Sequence, residues 1–295
     1  MARSRVAKST KKKRRVMTCT LVATAFYVQN PLAEETKIAI AKGPSPAQRK
    51  DATFDDRAAA KVWLTPEHGH PCIPHGHLLG SLVMAGTQQK NGTSLITIVG
   101  ANRQKDYRGG YHFRLLGSYF LMVNPEKPDE PAKWYTELMD PPNKLGQRVP
   151  EPCPLWESWQ ANIAFSFDET GMSEETVYEW LTKAGRGCGI GAARIGRGAA
   201  LGFGTFDILD GSWREIREAD IAEFLASLPI KRPIHGDVDR ALDWLLIPYN
   251  EHHAESIEAG GNGEPVPDAP KKARKAKATA DEEPAEEEVA EPVEA

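Results

Sequence analysis

The segment AGRGCGIGAARIGRGAALGFGTFDIL, residues 184–209, carries eight glycines, at 185, 187, 189, 191, 196, 198, 202 and 204, and the arginines Arg186, Arg194 and Arg197. Glycine at this density suits neither a helix nor a paired strand, because each one gives up side-chain packing and loses the most backbone freedom on folding. The segment therefore predicts a loop in which positive φ is free and backbone amides approach a ligand with no Cβ in the way, as phosphate requires. It follows a helical pattern and precedes a strand. That order is the reverse of a dinucleotide fingerprint, and with no Gly-Lys-Ser/Thr following it the loop is no Walker motif. Its arginines add charge-assisted donors, so Arg186, Arg194 and Arg197, with Gly191, Gly196 and Gly198, are candidates for holding a nucleic-acid backbone. The plain alternative is a turn that lets the last strand enter its sheet.

Around this loop the hydrophobic period switches between two and 3.6. VMTCTLVATAFYV (16–28) reads as a first strand, 55–64 as a short helix, 75–89 as a helix opened by Pro74, and LITIVG (95–100) and 118–123 as strands. Residues 131–139 read as a helix in an irregular insertion, and WQANIAFSF (159–167) alternates as a strand. Ser173 is an N-cap, and Glu174 and Glu175 suit the first turn of a helix to Lys183. A last strand at 203–209 and helices at 220–228 and 238–246 follow. With insertions at about 30–70 and 102–156 set aside, the order strand, helix, strand, strand, helix, strand predicts an α+β, ferredoxin-like (RRM-like, split βαβ) core over 16–210. Two helices then cover one face of a four-stranded antiparallel sheet. The other face is left for a ligand, and single-stranded RNA is a common one.

Charge divides the chain into unlike parts. Residues 1–15 hold eight Lys/Arg and no acid, predicting a basic disordered arm, while 261–295 hold ten Asp/Glu and five Lys/Arg. Removing both from the totals of 37 basic and 41 acidic residues leaves 24 against 31, so the body carries −7 and is no general polyanion binder. Any nucleic-acid site has to be a local basic patch or the arm. Residues 211–259 predict a helical extension, and 260–295, rich in Ala, Pro, Glu and Lys without an aromatic residue, a disordered Lys/Ala then acidic tail. The run Lys11 to Arg15 before VMTCTLVATAFYV imitates a signal peptide, but thirteen residues are too few to span a bilayer and their Thr-punctuated, β-branched pattern is that of a buried strand. Cys19, Cys72, Cys153 and Cys188 form no CxxC pair, so the expectation is a reducing cytoplasm.

Two further constellations carry chemistry. HGHPCIPHGH holds His68, His70, Cys72, His75 and His77 in ten residues. Imidazole and thiolate at this density are zinc ligands by type, though the spacing matches no zinc framework, and because a free imidazole titrates near neutrality, His70, His75 and His77 are also candidates for acid–base cleavage of RNA. A surface turn framed by Pro71 and Pro74 is the plain alternative. The stretch with Asn102, Arg103, Lys105, Tyr107, Arg108, Tyr111, His112 and Arg114 interleaves cations and rings, the pattern that grips phosphates while stacking unpaired bases. Trp134, Trp156, Trp159, Trp180 and Trp213 are expected in the core or in insertion packing.

GIGAARIGRGAALGFGTF before a final strand, and CIPHGHLLGSLVMAG, in which Ile-Pro opens a helix after the first strand, resemble the repeat-associated mysterious protein (RAMP) superfamily. That superfamily includes RNA-binding backbone subunits and repeat-processing endoribonucleases of CRISPR effector systems. The layout from YVQNPLA through KVWLTPEHGHPCIPHGHLLGSLVMAG to the glycine loop is similar to uncharacterised RAMP-like proteins of bacteriophages, over residues 16–209. The resemblance implies a ferredoxin-like core with Arg186, Arg194 and Arg197 on an RNA or single-stranded DNA backbone. The expected function is non-catalytic binding of single-stranded nucleic acid, RNA first, as a subunit of a CRISPR-like or phage nucleoprotein complex. Other subunits or further copies would be its protein partners, with no membrane and no cofactor beyond zinc on the histidine segment. The rivals are a histidine-dependent, metal-independent endoribonuclease and a phage structural or assembly protein.

Overall fold

Met17, Cys19 and Leu21 alternate with Thr18 and Thr20, so a strand here buries one face and offers the other to polar neighbours. In the computed structural model, which describes residues 14–29, 52–99, 105–139, 151–191 and 202–253, this is strand β1, Arg14–Ala23. It pairs antiparallel with a second alternating segment, in register from Arg14 opposite Asp168 to Val22 opposite Gln160.

The chain builds β1, β2 (Tyr27–Val28), helix α1 (Phe54–Ala59), β3 (Cys72–Pro74), helix α2 (His75–Ala85), β4 (Phe113–Leu116), β5 (Tyr119–Leu121), β6 (Tyr135–Met139), β7 (Glu151–Trp156) and β8 (Gln160–Asp168). Then come α3 (Glu174–Lys183), β9 (Phe206–Ile208), β10 (Arg214–Glu215), α4 (Ile221–Ser227), α5 (Val238–Leu242) and α6 (Tyr249–His252). The main sheet has the order β9-β1-β8-β4, with β10 continuing the β9 edge along β1, and every pairing is antiparallel. Helix α2 lies between β1 and β4 in the chain, and α3 between β8 and β9. The protein is thus α+β, as its alternating periods predict. Among the described residues no helix is long and apolar enough to cross a membrane.

The inner face of this sheet is dry. Met17, Cys19 and Leu21 of β1 join Ile163, Phe165 and Phe167 of β8 and Phe113 of β4, all at most 2 % exposed, with Leu78 and Leu82 of α2 and Val177, Trp180 and Leu181 of α3. Trp180 fastens the layers together: its ring meets Phe113 edge-on at 5.1 Å, and its Nε1–H donates to the Leu82 carbonyl at 2.8 Å. Helix α3 starts where the sequence expects, with the Ser173 hydroxyl accepting the Thr176 N–H at 3.2 Å.

Several expectations are corrected. The first predicted strand divides after Ala23: the Thr24 N–H turns to the Thr205 carbonyl, and Tyr27–Val28 joins a second antiparallel sheet of order β6-β7-β2. LITIVG is not a strand of the main sheet. Its residues pair in small hairpins, Ser94–Leu95 with Lys90–Asn91 and Thr97–Val99 with Lys105–Tyr107, and the sheet position goes to β4, whose Phe113 and Leu115 point inward. Residues 118–123 give the short strand β5, which pairs with β3 instead. Within 131–139, Tyr135–Met139 form strand β6 rather than a helix, because β7 supplies a partner for the β-favouring Tyr135 and Thr136. The C-terminal helices are shorter than predicted, and the extension is stitched to the insertions by bridges of Leu64 with Ile234 and Trp134 with Leu245.

Arg14 and Arg15, predicted in the disordered arm, open β1; residues 1–13 and 254–295 lie outside the described residues. Arg15 lies 5.5 Å over the Phe167 ring and pairs with Glu169 at 3.1 Å, with Glu215 at 2.8 Å and with Glu174. The Trp213 indole donor, and next to it the Arg15 guanidinium, hold the Glu174 carboxyl below the usual carboxylate range against its partial desolvation. A carboxyl more acidic folded than unfolded contributes stability above the unfolded pKa that is lost as pH falls through the folded one. Urea titrations should therefore find Glu174→Gln destabilising at pH 7, with the gap to the parent closing below pH 4. Trp180→Ala should cost about 3–5 kcal/mol in the same titration at pH 7.

Candidate nucleic-acid interface

Register fixes what the outer face of the main sheet carries. On the opposite face lie Arg14, Val16, Thr18 and Thr20 of β1, Asn162, Ala164 and Ser166 of β8, Arg114 and Leu116 of β4, and Arg214 of β10, of which Val16, Thr18, Ala164 and Ser166 are covered in turn. Arg14 Nε donates to Ser166 Oγ at 3.2 Å, Arg214 Nε donates to Thr18 Oγ1 at 3.2 Å, and the Thr20 hydroxyl donates to Asn162 Oδ1 at 2.7 Å. All three arginines are exposed, and none has an ion pair among the described residues. Asp168, opposite Arg14, accepts from the backbone and hydroxyl of Thr170.

A strap crosses this face. Helix α4 has no buried residue, so it is held at its ends: the Ile216 N–H donates to the Val16 carbonyl at 2.9 Å, and Ser118 donates its N–H to the Pro229 carbonyl at 2.8 Å and its hydroxyl to the Ile230 carbonyl at 2.9 Å. Beneath residues 224–231 remains a cavity of about 590 Å³, floored by Thr18, Thr20, Asn162 and Leu116 and walled by Phe224 and Pro229. A smaller one of about 390 Å³ lies toward Arg217, with Arg214 and Phe224 shared by both. At the rim of the larger, Glu67 pairs with Lys231 at 3.3 Å and accepts the Tyr119 hydroxyl at 3.1 Å. Desolvation opposes ionisation of Glu67, but its backbone hydrogen bond, Lys231 and Tyr119 outweigh it and hold the carboxyl below its usual range. Burial and the Glu67 charge push the Tyr119 phenol up to about 12, so it stays a neutral donor.

The glycine loop does other work where it is described. Helix α3 continues as a π-helical turn, Ala184–Cys188. Gly191, at φ +87°, leaves only 2.4 Å between the site of a Cβ and the Val28 carbonyl oxygen, and Gly204, at φ +74°, only 1.9 Å to that of Ile190. Here the missing side chains let backbone pass backbone: the Ile190 N–H donates to the Gly204 carbonyl at 2.9 Å, and the Gly204 N–H donates to that of Phe26. Arg186 pairs through Nε with Asp207 at 2.6 Å. Arg194, Arg197, Gly196, Gly198 and Arg103 lie outside the described residues.

The basic-aromatic stretch is divided. Arg114 reaches the outer face, Arg108 pairs with Asp106 at 2.9 Å, Lys105 belongs to a hairpin strand, the Tyr107 ring packs against Trp180, and Tyr111 is exposed. The histidine segment is dispersed too. His75 donates its Nδ1–H to the Gly117 carbonyl at 2.9 Å, and His77 Nδ1 bonds the Tyr27 hydroxyl at 2.8 Å. Cys72 is fully buried, which pushes its thiol up, and His70 lies edge-on to Trp244, its pKa lowered by burial and by the nearby His68 and Arg240. Among the described residues, these five do not converge into a ligand group.

Sequence reasoning missed Arg214, the Thr18, Thr20 and Asn162 floor, and the strap. The floor was signalled by the period-two alternation of β1 and β8; Arg214 and the strap had no local signal. No protein-family model matches the chain, and no curated protein matches it.

Gly204→Ala should destabilise the fold by more than about 2 kcal/mol through strain and backbone collision. Gly187→Ala, with nothing within 4 Å of its new Cβ, should stay within about 0.5 kcal/mol in urea unfolding.

Proposed function

We propose that the protein binds single-stranded nucleic acid, RNA first, on the outer face of its main sheet, without cleaving it. One observation carries the reading: Arg14, Arg114 and Arg214, exposed and free of ion pairs among the described residues, share a sheet face with a groove floored by Thr18, Thr20 and Asn162. The arginines suit phosphates, and the hydroxyls and amide suit sugar and base edges. Residues 16–260, which carry −7, give such a patch no help from their long-range field, so binding depends on these local contacts.

The strand order, with α2 and α3 as the two crossovers, supports taking the core as ferredoxin-like, in which the helices leave one sheet face for a ligand. The resemblance to RAMP proteins supports the same ligand class and a role in a CRISPR-like or phage nucleoprotein complex. The hydrogen bonds that occupy His75 and His77 favour binding over histidine-driven cleavage.

Replacing Arg14, Arg114 and Arg214 together by Ala should weaken binding of a single-stranded oligonucleotide at least tenfold. It should also flatten the slope of log affinity against log salt by about 0.7 for each phosphate that is no longer neutralised. Fluorescence anisotropy with matched RNA and DNA strands reads both. Unchanged affinity and slope in a variant with parental melting would refute the site.

A further inference from the structure

A cluster far from the sheet face in sequence, and used by nothing above, brings together Glu137 of β6 with His252 and His253 at the end of α6. One ligand atom from each lies within 4.8 Å of the other two. We propose that these three side chains bind a divalent transition-metal ion, zinc being the best match to two imidazoles and one carboxylate.

The separation between His253 Nε2 and Glu137 Oε2, 3.6 Å, is informative. A charge-assisted hydrogen bond between them would close to about 2.7–2.9 Å, and 3.6 Å is too long to be one. Two ligands each about 2.0–2.1 Å from a tetrahedral zinc stand about 3.4 Å apart, close to what is seen. His253 Nε2 is also shielded from solvent without any hydrogen-bond partner, a cost that a metal bond would remove.

The surroundings hold the set in place. Glu137 Oε1 accepts the Leu138 N–H at 3.2 Å, which aims Oε2 at the histidines. The helix bearing them is anchored where the Tyr249 N–H meets Asp55 at 3.1 Å, and the same carboxylate accepts the hydroxyl of Thr136, the neighbour of Glu137. Tyr135 packs on the His252 ring at 4.5 Å and Tyr249 on the His253 ring at 4.4 Å, restricting both imidazoles. His252 is exposed, so solvent reaches the cluster. A metal here would clamp α6 to β6.

Equilibrium dialysis of the chelator-treated full chain against zinc chloride should find one tightly held zinc per chain, and zinc should raise the melting temperature. Glu137→Gln, close in shape to the native side chain, and His253→Ala should each weaken binding at least tenfold and abolish the melting shift. His68→Ala with His70→Ala should leave both intact. Cobalt in place of zinc should give visible absorption of tetrahedral intensity, lost in Glu137→Gln. Unchanged zinc affinity in Glu137→Gln and His253→Ala, loss of it in the His68/His70 variant, or no stoichiometric zinc would each overturn the site. Nucleic-acid binding by the parent chain is a separate readout, so failure of either proposal leaves the other standing.

Discussion

The ladder between β1 and β8 is the constraint on which the rest depends. Nine residue pairs, from Arg14 opposite Asp168 to Val22 opposite Gln160, join segments about 150 residues apart, so a large loop-closure cost is met in one step. Both strands are central, with β9 and β10 on the far edge of β1 and β4 on the far edge of β8. Because side chains alternate with period two, a slip of β8 by one residue would turn Phe165 and Phe167 to solvent and put Asn162 and Ser166 into the core. The burial of those two rings against Trp180, Phe113 and Met17 therefore fixes the register, and with it the outer face. The polar groove is the reverse side of the hydrophobic core.

The two faces are held by different physics. The inner one is dry and built of interlocked rings, where loss of any large side chain leaves a void. The outer one is bridged by a strap whose helix has no fully buried residue and is tied by backbone hydrogen bonds at its ends. Regions with little buried apolar surface and end-only attachment are the first to open. The strap over residues 224–231 is thus the part of this face with least to lose by moving.

The glycines of 184–191 and 202–204 show how one sequence signal serves packing first. Gly191 and Gly204 let the end of the α3 segment run against β2 and the approach to β9, closer than any Cβ would permit. This joins the main sheet to the sheet of β6, β7 and β2. Through Tyr27, whose ring packs against Trp156 and Trp159, the same junction is tied to the aromatic core.

The sequence by itself determined the α+β class, the alternation of β1 and β8, the capped helix after Ser173 and the burial of Trp134, Trp156, Trp159 and Trp180. These are local signals: period, cap chemistry and residue size act within a few neighbours. Only the tertiary structure decided that β4 rather than LITIVG completes the main sheet, that 135–139 is a strand, and that His68, His70, Cys72, His75 and His77 do not converge on one point. It also decided that Arg14, Arg114 and Arg214 share a face and that Glu137 meets His252 and His253. Strand pairing and ligand clusters are contacts between residues distant in the chain, and which partner wins depends on burial summed over the whole fold, a quantity no short window of sequence contains.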